Sequence, residues 1–172
     1  MAHRQIASWT QLTTLFLLSL ATSVSAQDLP PGWHLPPSSR TSQSFRQRDS
    51  YRFLTAIGDF DGDGIADKAL LLVNTASTKM GLFVCLKTAT GCDWHRLEVM
   101  EIAFLDVMGI DTVRPGKQDT ACGKGYWQCD KDEPKVLNLK HDAVEFFKDE
   151  SASSVYVYDA KKRAFTPIAT SD

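Results

Sequence analysis

The chain has 172 residues, with 19 lysine and arginine residues against 21 aspartate and glutamate residues, so its formal net charge at pH 7 is −2. Proteins that coat nucleic acid or anionic lipid need a clear excess of basic residues, and this chain lacks one. Its length and its hydrophobic fraction of 43% suffice for one domain with a buried core.

The first 26 residues have the pattern of a secretory signal peptide. A short, weakly basic start precedes LTTLFLLSLATSV, an apolar run too short to span a bilayer comfortably. Val24 and Ala26 are the small residues of a cleavage site before Gln27. We therefore expect a periplasmic or secreted protein with no membrane insertion after cleavage. An uncleaved anchor or a buried helix is the alternative.

Strand patterns begin after a segment without periodicity. Residues 27–50 are rich in proline, serine and arginine, which predicts an extended lead-in. The alternating segment YRFLTAIGDF and the apolar runs KALLLVN, GLFVCLK and WHRLEVM then predict strands. EIAFLDVMGI fits a short helix about as well as a strand, and residues 111–134 form a long predicted loop. Further along, PKVLNL, AVEFFK, SVYVYD and AFTPIA predict a meander of hairpins.

These patterns together predict a mainly β fold. We expect a single antiparallel β-rich domain of hairpins and a meander over residues 51–172, with at most one or two short helices. No internal repeat is present, which argues against a propeller or a solenoid.

Between the first two predicted strands lies GDFDGDGIAD, residues 58–67, with four closely spaced carboxylates. Counted from Asp59, acidic side chains occupy positions 1, 3, 5 and 9, and the backbone carbonyl of Ile65 stands at position 7. Hard oxygen ligands at this density suit Ca²⁺, which takes six to eight of them. The predicted ligands are Asp59, Asp61, Asp63, Ile65 and Asp67. A solvated Asp-Gly turn without a metal is the alternative.

The aspartate pattern differs from an EF-hand at position 12, where Leu70 replaces the usual glutamate. With strands on both sides, the segment resembles the integrin-type D-x-D-x-D-G-x-x-D calcium loop of FG-GAP repeats. The resemblance implies a structural Ca²⁺ that pins the first hairpin, with the aspartate at position 9 replacing the missing glutamate.

The four cysteines bracket the segments CLKTATGC and CGKGYWQC. Neither segment has the C-x-x-C spacing or the following histidine of a zinc site. In an oxidising compartment we favour two local disulfides, Cys85–Cys92 and Cys122–Cys129. Four cysteines allow three pairings, so a crossed arrangement stays open.

No motif in the sequence indicates catalysis. The chain has no G-x-S-x-G elbow, no H-E-x-x-H and no P-loop, and His34, His95 and His141 are scattered. We therefore expect a protein that is not an enzyme. A hydrolase whose acidic residues form no recognisable motif is the weakest of the alternatives.

The segment ESASSVYVYD opens the last predicted hairpin. Its SASSVY is similar to the Ser-Gly-x-Ser-x-Tyr loop with which periplasmic lysozyme inhibitors enter the lysozyme cleft. Ser151, Ser154 and Tyr156 match that pattern, whereas Ala152 replaces the glycine. The resemblance implies an inhibitory loop formed by these residues and Ser153. An ordinary polar turn with a cross-strand tyrosine is the alternative.

The larger combination resembles bacterial immunity proteins that protect the cell wall from injected peptidoglycan hydrolases and are structurally akin to lysozyme inhibitors. It consists of an exported β domain, a calcium loop, the segment CGKGYWQC and a serine-rich terminal hairpin. The resemblance implies a lysozyme-like glycoside hydrolase or effector protein as partner, with Tyr126 and Trp127 as a second contact, and no nucleic acid. The alternative is a calcium-stabilised exported adhesion or carbohydrate-binding module, in which Trp127 stacks on sugar.

Overall fold

The computed structural model describes residues 29–41, 45–46 and 49–172. The predicted signal peptide, residues 1–26, lies outside these described residues. Within them, no helix has the length and apolar character needed to cross a membrane. The described chain is mainly β with antiparallel sheets, which confirms the predicted fold class.

Eleven strands make up about half of the described chain. They are β1 (Trp33–His34), β2 (Thr55–Gly58), β3 (Asp67–Asn74), β4 (Lys79–Thr88), β5 (Gly91–Glu101), β6 (Met108–Val113), β7 (Gly116–Asp119), β8 (Val136–Leu139), β9 (Ala143–Lys148), β10 (Ser153–Asp159) and β11 (Ala164–Ser171). The helical pieces are α1 (Ser38–Thr41) and a 3₁₀ helix (Ile102–Asp106).

The strands form two main sheets and one small hairpin. In the first sheet, β3 pairs with β4 and β4 with β5, while β1 and β2 share the other edge of β3. The second sheet has the order β11-β10-β9-β6, and β7 pairs with β8 in the small hairpin. Every pairing is antiparallel, as expected for strands joined by short turns.

The main core lies between the two sheets. Leu71 and Leu82 of the first sheet meet Ile110, Val144 and Tyr156 of the second. A separate cluster, in which Leu137 and Leu139 of the small hairpin take part, covers the other face of the second sheet. Burial of these apolar side chains, at about 25 cal/mol per Å², is the main force that holds the layers together.

The outer face of the first sheet is covered by the segment that we predicted to be an extended lead-in. Trp33 pairs with Asn74, and its ring centroid lies 4.8 Å from that of Phe83. Leu29 packs on the same apolar cluster. The described part of residues 27–50 is therefore integral to the domain, because without it this apolar face would meet water.

The predicted strand at YRFLTAIGDF is shorter than expected, and its buried side chains are not those that alternate in the sequence. Phe53 has a φ of 59° and belongs to a turn, so β2 begins only at Thr55. Within β2, Ala56 is buried and Ile57 is exposed. The alternation that we detected at Phe53, Thr55 and Ile57 therefore does not mark the core side of this strand.

The C-terminal meander is also interrupted. PKVLNL and AVEFFK form β8 and β9, but β8 pairs with β7 and β9 pairs with β6 and β10. The turn at residues 140–142 therefore carries the chain from the small hairpin into the second sheet. The segment EIAFLDVMGI, for which helix and strand were equally favoured, contains both the 3₁₀ helix and the start of β6.

One side of the sandwich is closed by hydrogen bonds between β6 and the region of β2. The Ile110 backbone N–H donates to the Phe53 carbonyl at 3.0 Å, and the Thr112 hydroxyl donates to the Ile57 carbonyl at 2.9 Å. On the opposite side, side chains bridge β5 and the β10–β11 hairpin, with the Arg163 guanidinium 3.3 Å from the Asp93 carboxylate.

A buried arginine ties the segment before β2 to this closed side. Arg46 is 1% exposed, and its Nε donates to the Arg52 carbonyl at 2.7 Å. Its Nη1 donates to the Leu105 carbonyl at 2.8 Å, and its Nη2 donates to the Met108 carbonyl. The guanidinium therefore satisfies carbonyls of three separate segments at once.

Burial lowers the pKa of Arg46 to about 10, while the nearby charges of Asp106 and Asp149 act in the opposite direction. The side chain is still cationic at neutral pH, because its pKa lies well above 7.

Replacing Arg46 with methionine keeps an unbranched apolar stem but leaves the three carbonyls without these donors. We expect the free energy of unfolding to fall by at least about 2 kcal/mol, since the bonds to the Leu105 and Met108 carbonyls are buried and each orphaned buried acceptor costs about 1–3 kcal/mol. Urea denaturation measures the loss. The matched control is Arg96→Met on the exposed part of β5, for which a change within about 0.5 kcal/mol is expected. Equal losses in the two variants would contradict the role of Arg46.

Candidate functional site

The aspartate loop (residues 59–67) joins β2 to β3 and is closed by the pairing of Gly58 with Asp67. Gly62 and Gly64 have φ values of 80° and 86°, in the region that favours glycine. These two residues allow the backbone to curl tightly. The curl turns several carboxylates toward the inside of the loop.

Carboxylates of the loop accept hydrogen bonds from its own backbone. The two carboxylate oxygens of Asp59 accept from the N–H groups of Gly62 at 2.8 Å and Gly64 at 3.0 Å. The Asp61 carboxylate accepts from the Asp63 N–H at 3.1 Å. The acidic side chains therefore set the shape of the loop in addition to offering oxygens toward its centre.

Oxygens of Asp59, Asp61 and Asp67 lie within 4.8 Å of one another. The structure thus brings together three of the four predicted carboxylates. Asp63 is not part of this triad, and its Oδ1 accepts from the Ile65 N–H at 2.7 Å. The donor set consists of hard oxygen atoms, which fits Ca²⁺ and does not suit soft-ligand metals. Asp59, Asp61 and Asp67 are the residues that would hold the ion.

Asp67 is the buried member of the triad. Its two carboxylate oxygens accept from the backbone N–H groups of Phe60 and Lys87, each at 2.8 Å. Burial raises its pKa, the two N–H donors lower it, and the charges of Asp61 and Asp63 raise it further. A bound cation would offset both the burial and the repulsion that disfavour the anionic form.

A shallow groove lies beside the loop. It has a volume of about 370 Å³ and is lined by Asp59, Gly62, Pro115, Lys140, His141 and Asp142. Its far wall is the turn between β8 and β9. Nothing in the sequence pattern linked this turn to the aspartate loop, because the contacting residues lie about 80 positions apart.

The serine-rich turn (residues 149–153) connects β9 to β10. The Lys148 N–H donates to the Ala152 carbonyl at 2.8 Å, and the Ser151 N–H donates to the Lys148 carbonyl at 3.0 Å. The left-handed residue is Glu150, with a φ of 53°, and not Ala152. The alanine at the expected glycine position is therefore compatible with this turn.

The serines of this turn differ in exposure. Ser151 is exposed, whereas Ser153 and Ser154 are half-buried in β10. The Ser153 hydroxyl shares hydrogen bonds with the hydroxyls of Thr170, at 2.7 Å, and Ser171, at 3.0 Å. Ser151 is thus the most exposed of these three serines.

Tyr156 does not belong to the exposed surface, contrary to its predicted place in the inhibitory loop. It is 4% exposed in the main core, and its hydroxyl donates to the Glu98 carboxylate on β5. Burial raises the pKa of Tyr156, and the hydrogen bond and charge of Glu98 raise it further. The alternation of β10 explains this placement, because Tyr156 faces the first sheet while Val155 faces the small hairpin.

Both favoured disulfides are present. Cys85–Cys92 joins β4 to β5 with a Cα–Cα distance of 5.1 Å. Cys122–Cys129 closes the disulfide loop (residues 122–129) with a Cα–Cα distance of 5.0 Å. Cys122 and Cys129 lie near Glu133, but their bonded sulfurs are not thiolate ligands for a metal.

The disulfide loop presents two aromatic side chains. Tyr126 is 54% exposed and Trp127 is 39% exposed. The Trp127 indole N–H donates to the Glu133 carboxylate, at 3.2 Å from each oxygen. This contact fixes the polar edge of the indole and leaves much of the side chain accessible.

The disulfide loop and the serine-rich turn meet at the end of β11. The Lys124 ammonium donates to the Thr170 carbonyl at 2.7 Å, and the Ala121 N–H donates to the Ala169 carbonyl at 2.8 Å. The hydroxyl of the same Thr170 contacts Ser153. The two segments predicted as contacts are therefore adjacent, although residues 130–148 separate them in the chain.

Comparisons with known proteins do not assign this chain to a family. No protein-family model, curated protein sequence or solved structure matches it. The aspartate loop and the surface around Thr170 are consequently the basis for assigning a function.

The buried position of Tyr156 gives a prediction about stability. Tyr156→Phe removes the hydrogen bond to Glu98 and should lower the free energy of unfolding by about 1–3 kcal/mol. Tyr156→Ala also leaves a cavity and should cost about 3–5 kcal/mol. Urea denaturation of both variants, with Tyr158→Phe as the control for loss of a hydroxyl, tests this order. A Tyr156→Ala protein as stable as the wild type would show that the side chain is not in the core.

Proposed function

We propose that this protein is an exported, calcium-stabilised binding protein that inhibits a lysozyme-like peptidoglycan hydrolase and is not itself an enzyme. Its contact surface would consist of the serine-rich turn and the disulfide loop. Two disulfides and the lack of a membrane-crossing helix among the described residues fit an extracellular or periplasmic protein. The periplasm is the compartment in which such an inhibitor would meet an injected hydrolase.

The observation that carries the proposal is the junction at Thr170. Lys124 of the disulfide loop and Ser153 of the serine-rich turn both contact this residue at 2.7 Å. Hydrogen bonds to one shared residue hold the two segments next to each other and restrict their relative movement. A surface that is ordered before binding loses little conformational entropy when it enters a cleft.

The chemistry of the exposed groups suits a glycosidase cleft. Such a cleft holds two carboxyl groups, one of which is protonated as the general acid. The Ser151 hydroxyl can donate to one carboxyl group and accept from the other, and it brings no second charge that would need a buried partner. Tyr126 and Trp127 are of the residue types that most often anchor protein interfaces.

Tyr156 has a supporting role in this proposal. Its hydroxyl links β10 to Glu98 of the first sheet, which fixes the strand from which the serine-rich turn projects. A variant of Tyr156 would therefore test folding before it tests inhibition, and Ser151 is the better position to change.

The alternative is a calcium-stabilised adhesion or carbohydrate-binding module. The exposure of Tyr126 and Trp127 favours it, because exposed aromatic rings stack on sugar faces. Under this alternative the serine-rich turn would have no part in binding.

Inhibition is tested with the 172-residue protein, exported through its predicted signal peptide and purified. A peptidoglycan-lysis assay with a panel of lysozyme-like hydrolases should show suppression of at least one of them. Ser151→Arg should raise the half-inhibitory concentration at least about tenfold, since the much longer side chain cannot fit where the serine hydroxyl would bridge the two carboxyl groups. Ser77→Arg, in the exposed turn between β3 and β4, is the matched control and should inhibit like the wild type.

The outcomes separate the candidate functions. Suppression that Ser151→Arg abolishes and Ser77→Arg retains would support the inhibitor. Failure to suppress any hydrolase, together with binding to peptidoglycan fragments that Trp127→Ala removes, would favour the sugar-binding module. Lysis by the protein alone would show that it is an enzyme.

The proposed calcium site is tested by melting temperature. A ligand at 100 times its dissociation constant stabilises the folded state by about 2.7 kcal/mol, so Ca²⁺ should raise the melting temperature of the wild type above its value in EDTA. Asp61→Asn should remove most of this rise, whereas Asp132→Asn, a change at an exposed residue outside the loop, should keep it. Equal wild-type melting temperatures in Ca²⁺ and EDTA would refute the site.

A further inference from the structure

Asp142 holds the aspartate loop from the opposite layer of the fold. Its Oδ2 accepts from the backbone N–H of Asp59 at 3.1 Å and from Arg114 Nη1 at 2.9 Å. Asp142 is buried, whereas the Arg114 side chain is 74% exposed. Asp59 is the first acidic residue of the loop, so this contact fixes the point at which the loop begins.

The loop and the turn at residues 140–142 are in close contact. A Cβ at Gly58 would lie 2.7 Å from Asp142 Oδ2, and a Cβ at Gly62 would lie 2.9 Å from the His141 ring. Both distances are shorter than van der Waals contact allows. The turn can therefore pack against the loop because both positions are glycine.

We infer that Asp142 is a positioning residue for the proposed calcium site and that Arg114 holds it in place. This inference rests on the calcium part of the proposed function. Asp142 lies outside the acidic triad and contacts a backbone N–H of the loop, so it acts through Asp59 and not as a ligand. Loss of a partner that orients a metal ligand typically weakens metal binding about 10- to 100-fold.

A variant of Arg114 distinguishes a positioning role of Asp142 from a purely electrostatic effect on Ca²⁺ binding. Removing a nearby cation should strengthen Ca²⁺ binding if only the long-range field matters. If Arg114 acts by restraining Asp142, its removal should weaken binding, because Asp142 then loses one of the two contacts that orient it. The two explanations predict changes of opposite sign for the same variant.

The experiment is a calorimetric titration of the full-length exported protein with CaCl₂ after EDTA treatment. Asp142→Asn should weaken Ca²⁺ binding about tenfold, within the range seen for such orienting partners. Arg114→Gln should weaken it at least about twofold, as expected for a coupled pair. The matched control is Asp119→Asn, which removes one exposed carboxylate from β7 and should bind like the wild type. Melting temperatures in EDTA are recorded for every variant.

Each outcome bears on the inference. Weaker binding in both variants supports it, most clearly where the melting temperature of Arg114→Gln in EDTA equals that of the wild type. If Asp142→Asn binds Ca²⁺ with wild-type affinity, the inference is wrong but the calcium site is not contradicted. The same conclusion follows if Arg114→Gln binds Ca²⁺ more tightly than the wild type. Lack of Ca²⁺ binding by the wild type overturns the calcium site and the inference together. If Asp142→Asn does not fold, the direction in which Arg114→Gln changes the Ca²⁺ affinity still tests the inference.

Discussion

Packing of the two sheets against each other is the constraint on which the other features depend. The main core joins residues of β3 and β4 to residues of β6, β9 and β10. Hydrogen bonds from Ile110 and Thr112 close one side of this sandwich next to β2. Because β2 is held there, the aspartate loop that follows it is brought against the turn between β8 and β9. The position of the loop therefore depends on the packing of the core as well as on the residues of the loop itself.

Polar side chains at the core boundary stabilise particular segments of the fold. Arg46 satisfies carbonyls from three segments, and Tyr156 joins β10 to Glu98 of β5. Asp142 plays a similar part for the aspartate loop. In each case a buried polar group has partners from distant parts of the chain, as buried polar groups require. Ser151, Tyr126 and Trp127, by contrast, are exposed.

Local patterns predicted much of this structure, and long-range packing decided the rest. The apolar runs located most strands, because this signal acts over a few residues. The spacing of the aspartates predicted that four carboxylates converge, and three of them, those of Asp59, Asp61 and Asp67, do so. The buried face of β2, the pairing of β8 and the burial of Tyr156 depend on which layer covers each strand, and one strand's alternation does not reveal that. The contact of Asp142 with Asp59 spans 83 positions and has no sequence signal.

The junction at Thr170 also has a consequence for the order of events during synthesis. The serine-rich turn and the disulfide loop both precede β11 in the chain, yet each depends on Ala169–Ser171 for contacts. A nascent chain that has emerged only as far as β10 can close the Cys122–Cys129 bridge. It still lacks the residues of β11 against which the bridged segment packs. The proposed contact surface therefore exists only once the chain has been synthesised as far as residue 171.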